Sequence, residues 1–357
     1  MPFPLQRPQA NAVLGCQTPD RTAREEMQME PVKIKSAKFG HHREGTFIGV
    51  GGLRLYYQSW LPPQAPRAIL VLVHGLGSHS GSFENLANLL VPYGYGMYAF
   101  DMRGHGRSQG QRGYIQTWSE FRQDLDTFLA LIDRQISACS RFLVGHSLGA
   151  VVILEFLMRS QPSVSQPSVS QPSVSQPSVS QPSVSGAIAM APALGRVGVP
   201  PVKLAIGRVL SNIWPRFSLD TGLEAEAAVQ DKTLLQANLE DPLRHTQGTA
   251  RLATEFLQTV DWIHEHVDLC QFPLLILHGG SDRIALPEGS QQFAEQLPHR
   301  DTSCLVYPNT YHDLHQEVNA PQVAADLHQW VEARSDAQQC QILALPQRGD
   351  RVIWQAS

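Results

Sequence analysis

What the sequence lacks narrows it first. No apolar run approaches the ~18 residues that a membrane-crossing helix needs, so a spanning helix is not expected. Charge of one sign is also missing. Lys and Arg number 28 against 32 Asp and Glu, a formal net charge of −4, which leaves no electrostatic case for nucleic acid. Cysteine is scarce and scattered. Cys16, Cys139, Cys270, Cys304 and Cys340 are odd in number and have neither a zinc spacing nor the look of a disulfide framework. The expectation is reduced thiols in a cytoplasmic protein. An apolar signal region is absent as well. Val13-Leu14-Gly15-Cys16 is similar to a lipoprotein cleavage box, but Pro2, Pro4, Gln6, Arg7, Pro8, Gln9 and Asn11 precede it. Neither secretion nor lipidation is expected.

What is present is an alternation of strands and helices. Residues 1–43, rich in Pro, Gln, Arg and Glu, predict a disordered extension. From there two β-rich runs flank Gly51-Gly52, the signature of a hairpin. Ala68-Ile69-Leu70-Val71-Leu72-Val73 is continuously apolar, as a strand buried on both faces must be. Phe121, Leu125, Phe128, Leu129 and Ile132 fall at helical spacing. The pattern predicts an α/β fold over residues 44–334, with a mostly parallel twisted sheet and helices on both faces. In such sheets the site lies at the C-terminal edge of the strands. Residues 192–267 lack the strand pattern and predict an inserted helical cap. Residues 335–357 predict a flexible tail. Residues 161–185 are five perfect copies of Gln-Pro-Ser-Val-Ser. A proline every fifth residue forbids helix, so a surface loop is expected. The helix before it runs ~18 Å away from the site, which sets the repeat at the opposite edge and favours a neutral insertion.

The chemistry gathers at Gly145-His146-Ser147-Leu148-Gly149, which follows the apolar run Phe142-Leu143-Val144. Gly-x-Ser-x-Gly between a strand and a helix is a nucleophile elbow, and its glycines leave room where strand and helix nearly touch. A serine hydroxyl needs a base, and the base an orienting acid. Asp282 follows a buried strand and a Gly-Gly-Ser turn, and His312 follows the next strand, so both arrive at the edge that carries Ser147. His315, one turn beyond, and Asp313 compete for these roles, while His278 reads as a buried structural histidine. The backbone N–H groups of Leu76 and Leu148 are the expected oxyanion donors. Asp101-Met102-Arg103-Gly104-His105-Gly106 is assigned to a buttressing loop.

His74-Gly75-Leu76-Gly77-Ser78-His79-Ser80-Gly81, Asp101 to Ser108, the elbow, Asp241-Pro242-Leu243, Gly280-Ser281-Asp282 and Tyr311 to Glu317 together resemble the monoacylglycerol lipase and lysophospholipase branch of the α/β-hydrolases. The resemblance spans roughly residues 44–334. It implies hydrolysis of a fatty acyl ester of a glycerol-type lipid by Ser147, Asp282 and His312, without a cofactor or metal. It leaves the exact substrate to the cap.

In the cap, Val202, Ile206, Val209, Ile213 and Phe217 form a helical stripe, widened by Leu210 and Trp214. Such a stripe can pack on the sheet domain, guide an acyl chain, or touch a membrane surface. The expectation is that one face lines the acyl channel through Ile206, Leu210, Ile213 and Trp214. The sequence sets no oligomeric state.

Overall fold

The computed structural model describes residues 16–18, 40–161, 184–195, 201–298, 301–336, 340–343 and 353–354, without the side chains of 201–206 and 353–354. Strands β1 (His41–Ile48) and β2 (Arg54–Leu61) form the expected hairpin around Gly51-Gly52. β3 (Ala68–Val73), helix α1 (Glu84–Leu90), β4 (Tyr95–Phe100) and α2 (Ser119–Gln135) follow. A short β5 (Ile136–Ser137) leads to β6 (Arg141–His146), α3 (Leu148–Ser160) and β7 (Gly186–Met190). The cap segment holds α4 (Pro201–Ile213), β8 (Ser218–Asp220), α5 (Lys232–Glu240), β9 (Gln247–Thr249) and α6 (Ala250–Glu265). The chain then returns through β10 (Leu274–Gly279), α7 (Pro287–Gln296), β11 (Thr302–Tyr307) and α8 (Ala320–Glu332), and ends in β12 (Gln341–Ile342) and β13 (Ile353–Trp354).

The main sheet has the order β11-β10-β7-β6-β3-β4-β2-β1-β13. It is parallel from β4 through β3, β6, β7 and β10 to β11, and antiparallel where β2 meets β4 and β1. β3, β6 and β10 are buried along their whole length, as the apolar runs Ala68–Val73, Phe142–Val144 and Leu274–Leu277 at their centres require. One face packs against Phe121 and Phe128 of α2, Val152 and Phe156 of α3, and Phe293 of α7. The other packs against Leu86 and Leu90 of α1 and Val323 and Leu327 of α8. Each such side chain contributes about 1.5–3 kcal/mol on burial. Among the described residues no helix is long and apolar enough to cross a membrane.

Three expectations change. The region 192–267 is not all cap. Leu252, Val260 and Ile263 of α6 are buried in the core beside α3, because this helix carries its own apolar stripe toward the sheet. The terminal segments are not all loose. Gln17 exchanges backbone hydrogen bonds with Cys304 and Val306 at the edge strand β11. Residues 340–343 lie along β5, and β13 pairs with β1. The rest of the extension and tail lies outside the described residues. The thiols are not all reduced either. Cys16 is bonded to Cys304 and Cys139 to Cys340, leaving Cys270 unpaired. These partners lie 288 and 201 residues apart, so no local spacing could announce them.

Residues 162–183 of the repeat lie outside the described residues, but its two ends are placed. The Ser185 N–H donates to the Arg141 carbonyl, 2.7 Å away, at the start of β6. Ser147 stands at that strand's other end, so the repeat departs from the edge opposite the site.

Candidate active site

Ser147 sits between the end of β6 and the start of α3 with φ 54° and ψ −117°. A non-glycine residue in that region stores roughly 1–3 kcal/mol of strain. Its N–H is anchored on the Met190 carbonyl at 2.9 Å. The flanking glycines are steric requirements. A Cβ on Gly145 would stand 2.5 Å from Ala150 Cα, and one on Gly149 would stand 2.1 Å from the Val73 carbonyl oxygen.

The expected acid and base follow neighbouring parallel strands. Asp282 follows β10 and His312 follows β11, and His312 Nδ1–H donates to Asp282 Oδ2 at 2.6 Å. Asp282 Oδ1 accepts from the N–H groups of Ile284 and Ala285 at 2.8 and 3.0 Å. Both side chains are buried. Burial alone would raise the Asp282 carboxyl, but hydrogen bonds from His278 and His312 hold it well below the ordinary carboxylate range. Burial likewise works against the His312 imidazolium, and the hydrogen bond and charge of Asp282 outweigh it, so His312 is raised. Other histidines near the site, the competitor His315 among them, go the other way. Burial pushes His146 and His245 down to about 4 and His315 to about 3. The Asp282 contact therefore separates His312 from His315 in both geometry and titration.

Ser147 and His312 line one cavity of about 350 Å³. Leu76 lines it too, and the loop bearing Leu76 lies against the nucleophile: a Cβ on Gly75 would stand 3.1 Å from Ser147 Cβ. Leu148 opens α3, where backbone N–H groups have no partner within the helix and the helix dipole is positive. Buried His74 steadies the loop, its Nδ1–H donating to the Gly75 carbonyl and its Nε2 accepting from Met102 N–H at 2.9 Å. The Asp101–His105 loop is a buttress as expected. Asp101 accepts from the N–H groups of Ser80 and Arg107, and Arg103 is paired with Asp124 and Glu120.

The cap side of the cavity departs from expectation. Its lining is Thr221, Leu223, Glu224, Ala225 and Ala228, then Asn238, Leu239, Asp241, Arg244, His245 and Thr246. Leu210, Ile213 and Trp214 are not among the lining residues. Ile213 and Trp214 are 78% and 59% exposed, Leu210 is partly buried, and the Ile206 side chain lies outside the described residues. α4 packs on α6 rather than over the cavity. A helical stripe fixes which residues share a face, but not which body covers it. The segments that do cover the cavity carry no apolar period, and Asp241-Pro242-Leu243 was their one sequence signal. They are tied down by polar bonds: Asp241 to His79 at 2.7 Å, His245 N–H to the Gly77 carbonyl at 3.0 Å, and Asp313 N–H to the Ala228 carbonyl at 2.9 Å.

His146, His312 and Asp313 bring potential metal-ligand atoms within 4.8 Å of one another. They also form a polar network of their own, in which Arg244 supplies the charge partner of Asp313. His146 Nε2–H donates to the His312 carbonyl at 3.2 Å and lies 3.5 Å from Asp313, which also faces Arg244 at 3.7 Å.

A family described as serine aminopeptidase, S33 matches residues 64–319. Monoacylglycerol lipase of Mycolicibacterium smegmatis is 29% identical over 290 residues, covering 81% of this chain and 96% of that protein. The crystal structure of Paleococcus ferrophilus monoacylglycerol lipase superposes with a TM-score of 0.67 at 28% identity, covering 79% of this chain and 99% of that one. A soluble variant of Saccharomyces cerevisiae monoglyceride lipase, solved with a substrate analog, shares the fold with a TM-score of 0.69 at 22% identity, covering 86% and 99%.

Proposed function

The chain belongs to the serine aminopeptidase S33 family, and from that premise we propose that it hydrolyses the fatty acyl ester of a monoacylglycerol or lysophospholipid through an acyl-enzyme. The observation that carries this reading is the buried His312–Asp282 pair opening onto the same cavity as the strained Ser147. His312 Nε2 takes the proton as Ser147 Oγ adds to the ester carbonyl carbon. The oxyanion is held by the N–H groups of Leu76 and Leu148. The tetrahedral adduct collapses, the C–O bond to the alcohol breaks, and His312 returns the proton to the departing oxygen. Water then repeats the sequence on the acyl-enzyme and releases the fatty acid.

The lining speaks to the leaving group. Three carboxylates, Glu224, Asp241 and Asp313, face the cavity with one guanidinium, Arg244. That balance disfavours a phosphate and favours a neutral polyol, so monoacylglycerol ranks above lysophospholipid. It also gives an aminopeptidase little to hold an ammonium with, since His79 occupies Asp241, and His146 and Arg244 occupy Asp313. Val209, Ile213, Trp214, Leu219, Leu223 and Leu239 are exposed on the cap, which supports contact with the lipid surface that supplies such a substrate. Two disulfides favour an oxidising compartment over the cytoplasm first expected.

Hydrolysis of monoacylglycerols and lysophospholipids measured side by side, with Ser147→Ala as blank, tests the reading. Equal or faster turnover of the phosphate-bearing esters overturns the ranking. A chain-length series beside aminoacyl amides tests the class, and preference for short esters or amides overturns it.

A further inference from the structure

Asp282 holds one more partner than a catalytic triad requires. His278, next to last in β10, is fully buried, and its Nε2 lies 3.2 Å from Asp282 Oδ2, the same oxygen that receives His312 Nδ1–H. We propose that His278 is a positioning residue of this active site: its Nε2–H shares Asp282 Oδ2 with His312 and so sets both the orientation of the carboxylate and its pull on the base.

The tautomer follows from the neighbours. Nε2 also lies 2.7 Å from the Ala285 carbonyl oxygen, which can only accept, so Nε2 carries hydrogen. Nδ1, 2.7 Å from buried Ser290 Oγ, then accepts the hydroxyl hydrogen of α7. The ring is thus clamped by Ala285 and Ser290 independently of Asp282, and the carboxylate leans on it. Ile284 and Ala285 N–H on Oδ1 and His312 Nδ1–H on Oδ2 fill three acceptor places of the carboxylate, and the His278 Nε2–H, shared with the Ala285 carbonyl, lies 3.2 Å from the oxygen that holds the fourth. A carboxylate that shares Oδ2 with a second donor stabilises the His312 imidazolium less than one that does not. His278 therefore keeps the base available at lower pH, besides blocking rotation of Asp282.

This rests on Asp282 and His312 being the acid and base of the reaction, which Asp282→Asn and Ser147→Ala test separately. The experiment is the pH dependence of kcat/KM for a soluble acyl ester. Replacing His278 by Leu or Phe, which removes the donor, moves the acid limb upward by roughly half a unit to one unit. His278→Gln, which can offer an N–H to the same oxygen, brings it back toward the wild-type position. A limb that stays put in the folded Leu or Phe variant, whatever happens to the maximal rate or to Tm, assigns His278 to packing and overturns the proposal. Imidazole 15N NMR of the wild-type protein decides the matter without any variant. The proposal requires the Nε2–H form of His278, and hydrogen on Nδ1 alone overturns it. If Ser147→Ala keeps full activity, it is the triad that fails and not the role of His278.

Discussion

The two walls of the cavity are built on different principles. The sheet edge places its groups by backbone geometry. Ser147 is forced into φ 54° by a turn whose neighbours admit no Cβ, and Asp282 and His312 are delivered by two parallel strands in register, Gly279 opposite Tyr307. The cap places its groups by a few polar bonds to the catalytic loops, while its first helix turns apolar side chains to the outside. In the proposed reaction the first wall supplies the chemistry and leaves little steric room for change, and the second is proposed to select what arrives.

The largest effect that sharpens this contrast is on the rigid side. Ser147→Ala should lower kcat by on the order of 10⁴–10⁶-fold and abolish labelling by a fluorophosphonate, with Tm nearly unchanged, since alanine keeps the Cβ and with it the strained backbone. Substantial residual turnover would move the nucleophile elsewhere.

Gly149→Ala should act on stability instead. In a helix, alanine would ordinarily stabilise by about 0.5–1 kcal/mol. Here its Cβ would meet the Val73 carbonyl oxygen at 2.1 Å, and the strand and helix must separate. A net loss of roughly 3 kcal/mol or more is expected, read as a fall in denaturant midpoint. A neutral or raised midpoint would mean that the elbow is looser than its geometry indicates.

No cysteine lines the cavity, and breaking the disulfides should cost fold rather than chemistry. Thiol titration in denaturant without reductant should find one thiol, Cys270, against five after reduction. Reduction should lower stability by roughly 2–4 kcal/mol per bridge. Five titratable thiols before reduction would dissolve both bridges.

Much of the rigid wall was legible in the sequence because its constraints are local. A serine between two glycines after an apolar strand announces the elbow, and acid and base follow their strands in a fixed order. The sheet was legible for the same reason, since buried parallel strands must be apolar throughout. What escaped depends on contacts between distant parts of the chain. Cys16 and Cys139 find partners that no spacing links to them. His278 was recognised as buried, but its approach to Asp282, four residues on, depends on how the turn carrying Ala285 and the start of α7 with Ser290 fold back on it, which no spacing records. The stripe on α4 was recognised as apolar, but its partner is α6, and the residues over the cavity, such as Asn238 and Arg244, belong to segments without any periodicity.

Titration of the base gives a smaller effect with a definite sign. As the proposed base, His312 would act in its neutral form, and Asp282 raises its pKa above the ordinary 6.5. The pH profile of kcat/KM should therefore rise with unit slope to an inflection above 6.5. Stability runs the opposite way. The contribution from His312 is complete below the unfolded value and is lost as pH rises through the folded one, whereas that from Asp282, whose pKa is lowered, is present above the ordinary carboxylate value and is lost as pH falls through its folded value. An inflection at or below 6.5 would argue that Asp282 does not support the base in the free enzyme.

The smallest effect belongs to the outer face of the cap, and it decides between the two uses left for α4. Ile213 and Trp214 stand outward, so charging either one, as in Ile213→Glu or Trp214→Glu, should leave Tm and the hydrolysis of a soluble short-chain ester nearly unchanged. On monoacylglycerol presented in vesicles the same variants should lose about tenfold in apparent kcat/KM, because immersing one such side chain in lipid is worth about 1.5–3 kcal/mol. A channel lining would behave differently, with KM rising for long-chain esters even when they are monomeric in solution. The discriminating measurement is a long-chain ester below its aggregation concentration. Wild-type kinetics there, combined with loss on vesicles, assigns the helix to the lipid surface. Loss in both settings returns it to the acyl path, and would mean that the cap closes over the cavity further than its exposed face indicates.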